Sequence, residues 1–241
     1  MAVKLGEQLG YIQKRRGYGF AENFLAYSSG QMRTSTLTDT GTVTVLTTGG
    51  GGIAITPSDG TVVNNDEAYV GMTSKSILFA NLKPVWGDWL IQYTEGNTDD
   101  ANVIVGFSSS SAANALLDDG GGPPASYTGL VFFKVDGDTV WQVEASVAGT
   151  QTTKRLTSDI SLRRKDETAG GATAQRLSIG FVPRSSTQAD VFFYIDDELV
   201  CTFIWTYTSA AAVGTIAGLK NGADTTVETL NVYQENLEGL K

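Results

Sequence analysis

Apolar and polar side chains alternate with a period of two along most of the chain after residue 42. In one such segment Trp141, Val143 and Ala145 fall on one side, whereas Gln142 and Glu144 fall on the other. Successive side chains of a β-strand point to opposite faces, so this period predicts strands that bury one face in a core. Apolar positions spaced in this way also occur at residues 42–46, 77–80, 89–94, 103–107, 131–135, 177–181, 191–195, 199–205, 214–219 and 227–232.

Turn-forming residues separate the predicted strands. Asp136 and Gly137 predict a two-residue hairpin, because both central positions of such a turn favour a positive φ. Tight turns are also predicted at residues 196–197 and 220–222. Helix is expected only as one turn at residues 111–117. About a dozen short strands with so little helix indicate an all-β fold, a two-sheet antiparallel β-sandwich.

The start of the chain differs from the rest. Residues 1–35 show no clean period, and their aromatic side chains are scattered among glycine and basic residues. We therefore predict an extended, mostly irregular N-terminal arm over residues 1–41 that contacts a partner, followed by the β-sandwich domain over residues 42–241. The candidate partner-binding residues combine positive charge with aromatic rings and are Lys14, Arg15, Arg16, Tyr18 and Phe20.

The charge of the chain narrows its possible partners. The formal net charge is −9, but residues 1–35 carry five basic and two acidic residues, which leaves 12 basic and 24 acidic residues in the remainder. An acidic body repels phosphate backbones, so we expect no nucleic-acid partner. No apolar run reaches the roughly 18 residues that a membrane-spanning helix needs, so we expect no membrane partner either.

Candidate catalytic groups are few. The chain has no histidine, which excludes a Ser-His-Asp triad, and its single cysteine, Cys201, lies on the apolar face of a predicted strand. Of the four tryptophans, Trp86 alone is expected to be exposed. We predict that the chain is not an enzyme and holds no cofactor.

Three pairs of adjacent aspartates are the remaining candidates, at residues 99–100, 118–119 and 196–197. Adjacent strand residues point to opposite faces, so neither member of a pair can face the other across a sugar. Aspartate is also common in turns, and we interpret all three pairs as turn residues. Calcium held by the loops at residues 99–102 or 118–119 is the alternative interpretation.

Several segments resemble a known family. Residues 192–200 read Phe-Phe-Tyr-Ile-Asp-Asp-Glu-Leu-Val. They resemble the strand-turn-strand unit of concanavalin A-like (laminin G-like) jelly-roll sandwiches, with Asp197 in the place of the usual glycine. The likeness to virion structural proteins of tailed bacteriophages with this fold is more specific and covers roughly residues 53–234. It rests on the segments 64–69, 98–103, 118–124, 127–141 and 220–222.

The resemblance implies a non-enzymatic role in a virus particle. The expected function is a capsid decoration or cement protein on the outside of a phage head, made in the host cytoplasm. Its expected partners are the major capsid protein and further copies of itself, as a dimer or trimer. A carbohydrate-binding or receptor-binding virion module is the alternative. The glucanases of the broader fold carry a Glu-x-Asp-x-x-Glu strand motif, which this sequence lacks.

Overall fold

Two antiparallel sheets form the body of the protein. The computed structural model describes residues 17–30, 32–38, 40–47, 51–58, 61–79, 83–96, 99–163, 166–170, 173–207, 211–222 and 226–240. The strands in this part of the chain are β1 (Gly17–Glu22), β2 (Arg33–Leu37), β3 (Thr42–Val45), β4 (Ile53–Thr56), β5 (Glu67–Met72), β6 (Val85–Thr94), β7 (Asn102–Ser108), β8 (Gly129–Lys134), β9 (Gln142–Val147), β10 (Thr150–Arg155), β11 (Gln175–Pro183), β12 (Gln188–Ile195), β13 (Glu198–Thr206), β14 (Gly214–Lys220) and β15 (Thr229–Leu240).

The eight-stranded sheet has the order β13-β12-β11-β6-β15-β4-β3, and β1 also pairs with β15. The seven-stranded sheet has the order β10-β9-β8-β7-β14-β5-β2. Every strand pair is antiparallel, with registers such as Thr153 opposite Glu144 and Leu177 opposite Trp89. The predicted all-β sandwich of two antiparallel sheets is therefore confirmed.

The main core lies between the two sheets. Trp89, Trp141, Phe107 and Phe193 are all fully buried there, and edge-to-face ring contacts link Trp89 to Phe107 and Phe132 to Phe193. Aromatic pairs of this geometry contribute about 0.5–1.5 kcal/mol beyond the area that they bury. The predicted burial of Cys201 is also confirmed, at 2% exposure.

A second apolar cluster lies on the outer face of the seven-stranded sheet. The segment between β7 and β8 folds back over this face, so that Leu116 and Tyr127 pack onto Tyr69, Ile104 and strand residues beside them. This segment consists of turns without a helix, so the helical turn predicted at residues 111–117 is wrong. Because the segment packs on the sheet, it forms one wall of the cavities described below.

Two parts of the predicted N-terminal arm form strands. Within residues 1–41, β1 pairs with β15 and β2 pairs with β5, so both segments belong to the sheets. The sequence pattern does not reveal them because the inward position that opens β2 is a charged residue, Arg33, which is 5% exposed and pairs with Glu235 at 3.0 Å. A buried ion pair here takes the place of the apolar side chain that the period of two requires.

Two other predicted turns are found in part. At Asp136 and Gly137 the chain does turn, with the Asp138 amide donating to the Val135 carbonyl at 3.1 Å, but β8 ends at Lys134 and β9 begins at Gln142, so the connection is longer than a two-residue hairpin. Residues 220–222 leave β14 for β15 of the other sheet, and residues 223–225 lie outside the described part of the chain. The turn at residues 196–197 is confirmed, with φ of 50° and 65°.

Candidate functional site

A polar cavity of about 250 Å³ opens on the outer face of the seven-stranded sheet. Because β9 and β10 pair with Thr153 opposite Glu144, the outward side chains of both strands project to the same side. The sequence pattern places Gln142 and Glu144 outward, and the structure confirms this. Gln151 and Thr153 of β10 complete the polar wall.

A glycine-rich loop forms the opposite wall of this cavity. Gly120, Gly121, Gly122 and Pro123 line it, and Gly122 has a φ of 70°. A Cβ atom at Gly122 would lie 3.2 Å from the ring of Phe133. A residue without a side chain and with free access to positive φ lets the loop come this close to the sheet.

Glu144 is the central polar group of the cavity and is 3% exposed. Its Oε1 accepts hydrogen bonds from the Tyr127 hydroxyl and from Gln151 Nε2, both at 2.8 Å, and its Oε2 accepts one from the Thr153 hydroxyl. A carboxylate has about four acceptor positions, so these three donors leave one position on Oε2. Glu144 is thereby held in place and still able to accept one hydrogen bond.

Tyr127 acts as a permanent donor to this carboxylate. Burial, together with the negative charge of Glu144, holds the pKa of Tyr127 well above its usual value. The phenol therefore keeps its proton throughout the physiological pH range.

The polar groups around Glu144 are fixed in turn. Gln142 Nε2 donates to Asp138 Oδ2 at 3.1 Å, and Arg155 Nε donates to the same oxygen at 2.8 Å. Burial alone would raise the pKa of Asp138, but the hydrogen bonds from Arg155 and from the Val140 amide lower it below its usual value. Asp138 therefore stays charged and anchors both side chains.

A neighbouring cavity of about 290 Å³ lies on the other side of Pro124 and Tyr127. Its lining is more apolar and includes Ile104 and Leu117, together with the polar residues Ser108 and Asn114. Tyr127 lines this cavity while its hydroxyl contacts Glu144, so the two cavities flank one tyrosine.

The paired aspartates lie in turns, as predicted. Asp99, Asp119, Asp196 and Asp197 all have positive φ, between 50° and 65°. Hydrogen-bond donors of the protein already contact oxygen atoms of the candidate calcium-binding loops. Lys134 Nζ donates to the Asp99 carbonyl at 2.8 Å, and Asn64 Nδ2 donates to Asp119 Oδ1 at 3.3 Å. The described residues contain no group of three or more acidic, histidine or cysteine side chains that could hold a metal ion.

Of the predicted partner-binding residues, two fall within the described part of the chain, Tyr18 and Phe20. Lys14, Arg15 and Arg16 lie outside the described residues. Tyr18 lies in β1 opposite Gly239, and the half-buried ring of Phe20 lies 5.1 Å from the Arg33 guanidinium carbon. Their part in partner binding stays a prediction.

The other singled-out side chains are buried. Trp89, Trp141 and Trp205 lie in the core as predicted. Trp86 was expected to be exposed, but only 5% of it is, because it lies flat over Gly180 beside Phe192 and Tyr194. Burial raises the pKa of Cys201, which keeps the thiol protonated. In the part of the chain that is described, no helix is long and apolar enough to cross a membrane.

Similarity to known proteins is visible only at the level of structure. No protein-family model matches the chain, and no curated protein matches it in sequence. Among solved structures, the endo-β-1,4-glucuronan lyase of the fungus Trichoderma reesei aligns with a TM-score of 0.61 and 10% identity over 92% of this chain and 95% of the lyase. The carbohydrate recognition domain of Emp47p aligns with a TM-score of 0.58 and 10% identity over 93% and 96% of the two chains.

A third solved structure comes from a bacteriophage. The carbohydrate esterase of the Shiga toxin-encoding phage phi24B aligns with a TM-score of 0.53 and 13% identity over 94% of this chain and 98% of the esterase. The fold is a concanavalin A-like jelly roll. This fold occurs in both lectins and enzymes, so the similarity establishes the fold and not the activity. The activity depends on the side chains of the site.

Proposed function

We propose that this chain is a non-enzymatic carbohydrate-binding module whose ligand occupies the cavity at Glu144. The observation that carries the proposal is the remaining acceptor position on Glu144 Oε2, which lies among the side chains of Gln142, Gln151 and Thr153. Sugar hydroxyl groups both donate and accept hydrogen bonds, and a rigid carboxylate surrounded by amides and a hydroxyl offers both functions. The carbohydrate-recognising proteins among the structural neighbours support this assignment.

The composition of the cavity favours binding over hydrolysis. Glycoside hydrolysis generally uses two carboxyl groups about 5–10 Å apart, one on each side of the scissile bond. Glu144 is the one carboxylate among the described residues that line this cavity. It also accepts hydrogen bonds from three neighbours, which suits a fixed acceptor better than an acid that must give up a proton.

A glycan array tests this proposal. We expect the full chain to give a saturable signal on a restricted set of glycans, and Glu144→Gln to weaken that signal at least tenfold, because an amide offers one acceptor oxygen instead of two. Circular dichroism and the unfolding midpoint of the variant establish that it is folded. A blank array for the full chain would show that the carbohydrate assignment is wrong.

A role as a virion structural protein is the second candidate. We propose it because large apolar side chains are exposed between β1 and β2: Leu25 is 70% exposed and Met32 is 63% exposed. Exposed apolar groups of this size suit a protein interface. In this role the chain is a decoration protein on the capsid surface that contacts the major capsid protein and further copies of itself.

Capsid binding tests this second candidate. Because β1 begins at Gly17, a variant that lacks residues 1–16 keeps every described strand. We expect the full chain to co-sediment with phage capsids stripped of decoration protein, and the shortened chain to do so much more weakly. Equal co-sedimentation of both chains would contradict a role for Lys14, Arg15 and Arg16, and no co-sedimentation of either would contradict the decoration function.

A further inference from the structure

A separate cavity of about 190 Å³ lies where the chain passes from β1 to β2. Its lining includes Glu22, Phe24, Tyr27, Met32 and Arg33. None of these residues lines either cavity on the outer face of the seven-stranded sheet. A ligand here would therefore bind independently of the carbohydrate proposed above.

Arg33 supplies a buried donor to this cavity. Its Nη1 donates to Thr215 Oγ1 at 2.8 Å and to Glu235 Oε1 at 3.0 Å. Its Nη2 is buried and has no hydrogen-bond partner in the described part of the protein. Because a guanidinium carries five N–H donors in a fixed fork, the Glu235 pair fixes where the unused donors lie.

Tyr27 supplies a second buried polar atom that lacks a partner among the described residues, its hydroxyl oxygen. Leaving a buried donor or acceptor unsatisfied costs about 1–3 kcal/mol. Two such atoms on residues that line one cavity indicate that the cavity is completed by an occupant, which brings at least one oxygen acceptor.

The surrounding charges decide which kind of acceptor fits. Glu22 lines the cavity and Glu235 already pairs with Arg33, so two carboxylates stand near one guanidinium. A negatively charged ligand would meet net repulsion, whereas a neutral carbonyl oxygen can accept from Arg33 without it.

The apolar part of the cavity lining indicates that the ligand also carries an apolar group beside its carbonyl. Phe24 is 2% exposed and forms a fixed wall, while Met32 is 63% exposed at the opening. Leu25, at 70% exposure, follows Phe24 directly in the chain. A peptide combines an uncharged carbonyl with an adjacent apolar side chain, and it is the ligand class that matches both features.

We propose that this cavity binds a peptide segment of a partner protein. A backbone carbonyl of the peptide accepts hydrogen bonds from Arg33 Nη2 and the Tyr27 hydroxyl, and an apolar side chain of the peptide packs against Phe24 and Met32. Neither this surface nor this ligand class takes part in the carbohydrate binding at Glu144.

Methionine methyl signals in NMR test the proposal with N-acetyl-leucine methylamide as the probe. The chain has three methionines, of which Met32 lines the cavity and Met72 packs against the main core. We expect a saturable shift of the Met32 signal and a smaller shift of the Met72 signal, because Met72 lies opposite Arg33 on the neighbouring strand. Sodium acetate, the anionic probe, is expected to leave both unchanged. No response of Met32 to the methylamide would show that water alone fills the cavity, and a stronger response to acetate would show that the site prefers anions; either result overturns the proposal.

Tyr27→Phe separates binding from folding. It removes a buried oxygen that has no partner in the described structure, so the folded state should be as stable as the original or more so. The dissociation constant for the methylamide should rise at least fivefold. Tyr194→Phe, outside the cavity, is the matched control and should change neither property. Equal affinity of the Tyr27→Phe protein would overturn the proposed contact.

Discussion

Lys134 Nζ lies 3.0 Å from Glu95 Oε1, and the lysine side chain is only 1% exposed. The same ammonium group donates to the carbonyls of Asp99 and Ala101, each 2.8 Å away. Glu95 Oε2 in turn accepts from the Ala101 amide at 2.7 Å. One buried cation therefore ties the loop between β6 and β7 to the end of β8.

Replacement of this cation should destabilise the protein strongly. Lys134→Met keeps most of the side-chain volume but leaves Glu95 and two carbonyls without their donor, and we expect a loss of about 3 kcal/mol in the free energy of unfolding. Urea denaturation measures the loss. Lys83→Met, at an exposed lysine, is the control and should change stability by less than about 0.5 kcal/mol. Similar losses for both variants would show that the buried contacts contribute little.

The positions of the Lys134 and Lys220 ammonium groups lead to a prediction about metal binding. Lys134 occupies the carbonyl of Asp99, and Lys220 Nζ contacts Asp118 Oδ1 and, at 3.0 Å, the carbonyl of Leu116. Because these cations contact oxygen atoms of the two loops that are the candidate calcium sites, removal of calcium by a chelator should not destabilise the loops. We expect the midpoint of thermal unfolding to be the same with EDTA as with added calcium. A midpoint that rises with calcium concentration would favour the metal interpretation.

Packing on the outer face of the eight-stranded sheet leads to a further prediction. Trp86, Gly180 and Phe192 lie opposite one another on three neighbouring strands, and a Cβ atom at Gly180 would overlap the indole ring of Trp86. Gly180→Ala should therefore displace the ring and destabilise the fold by about 1–3 kcal/mol.

A double-mutant cycle checks the cause of this loss. In a Trp86→Ala background the overlap is absent, so Gly180→Ala should cost much less there, and the two substitutions should be non-additive. Additive effects in denaturant unfolding would contradict the overlap.

The burial of Glu228 predicts how the free energy of unfolding depends on pH. It is fully buried, neither side-chain oxygen has a hydrogen-bond partner among the described residues, and burial followed by the charge of Glu95 raises its pKa to about 8. The folded state therefore holds this proton more tightly than the unfolded state does. Its contribution to stability is fully present below the unfolded pKa of roughly 4.5 and is lost as the pH rises towards 8.

Glu228→Gln should remove this dependence. We expect the variant to be more stable than the original protein at pH 8.5, by up to about 4 kcal/mol, and the difference to shrink towards pH 5. Parallel pH profiles for the Glu228→Gln and original proteins would contradict a raised pKa.

The sequence predicts the sandwich because its strands follow simple rules. The alternation at residues 141–145 places Trp141 inward and Glu144 outward, and the structure agrees. Asp196 and Asp197 predict their turn because aspartate tolerates positive φ. Both rules depend only on neighbours in the chain, so a single sequence suffices for them.

The remaining features depend on contacts distant in sequence. Arg33 is buried only because Glu235, 202 residues away, pairs with it, and this hides the strand character of β2. Glu144 stands out as a site only when Tyr127 and the loop at Gly120 fold over it. The local sequence sign of the Glu144 site is a strand with polar outward residues near a glycine-rich segment. Many surface strands show the same pattern, so it does not identify the site.

The hydroxyl of Thr153 offers the most direct test of the proposed carbohydrate site. It donates to Glu144, whereas Thr152, the preceding residue of β10, lies opposite Ala145 of the core. Isothermal titration with the best glycan from the array should give an affinity several-fold weaker for Thr153→Val than for the original protein, and an unchanged affinity for Thr152→Val. Equal affinities for the two variants would contradict binding at Glu144.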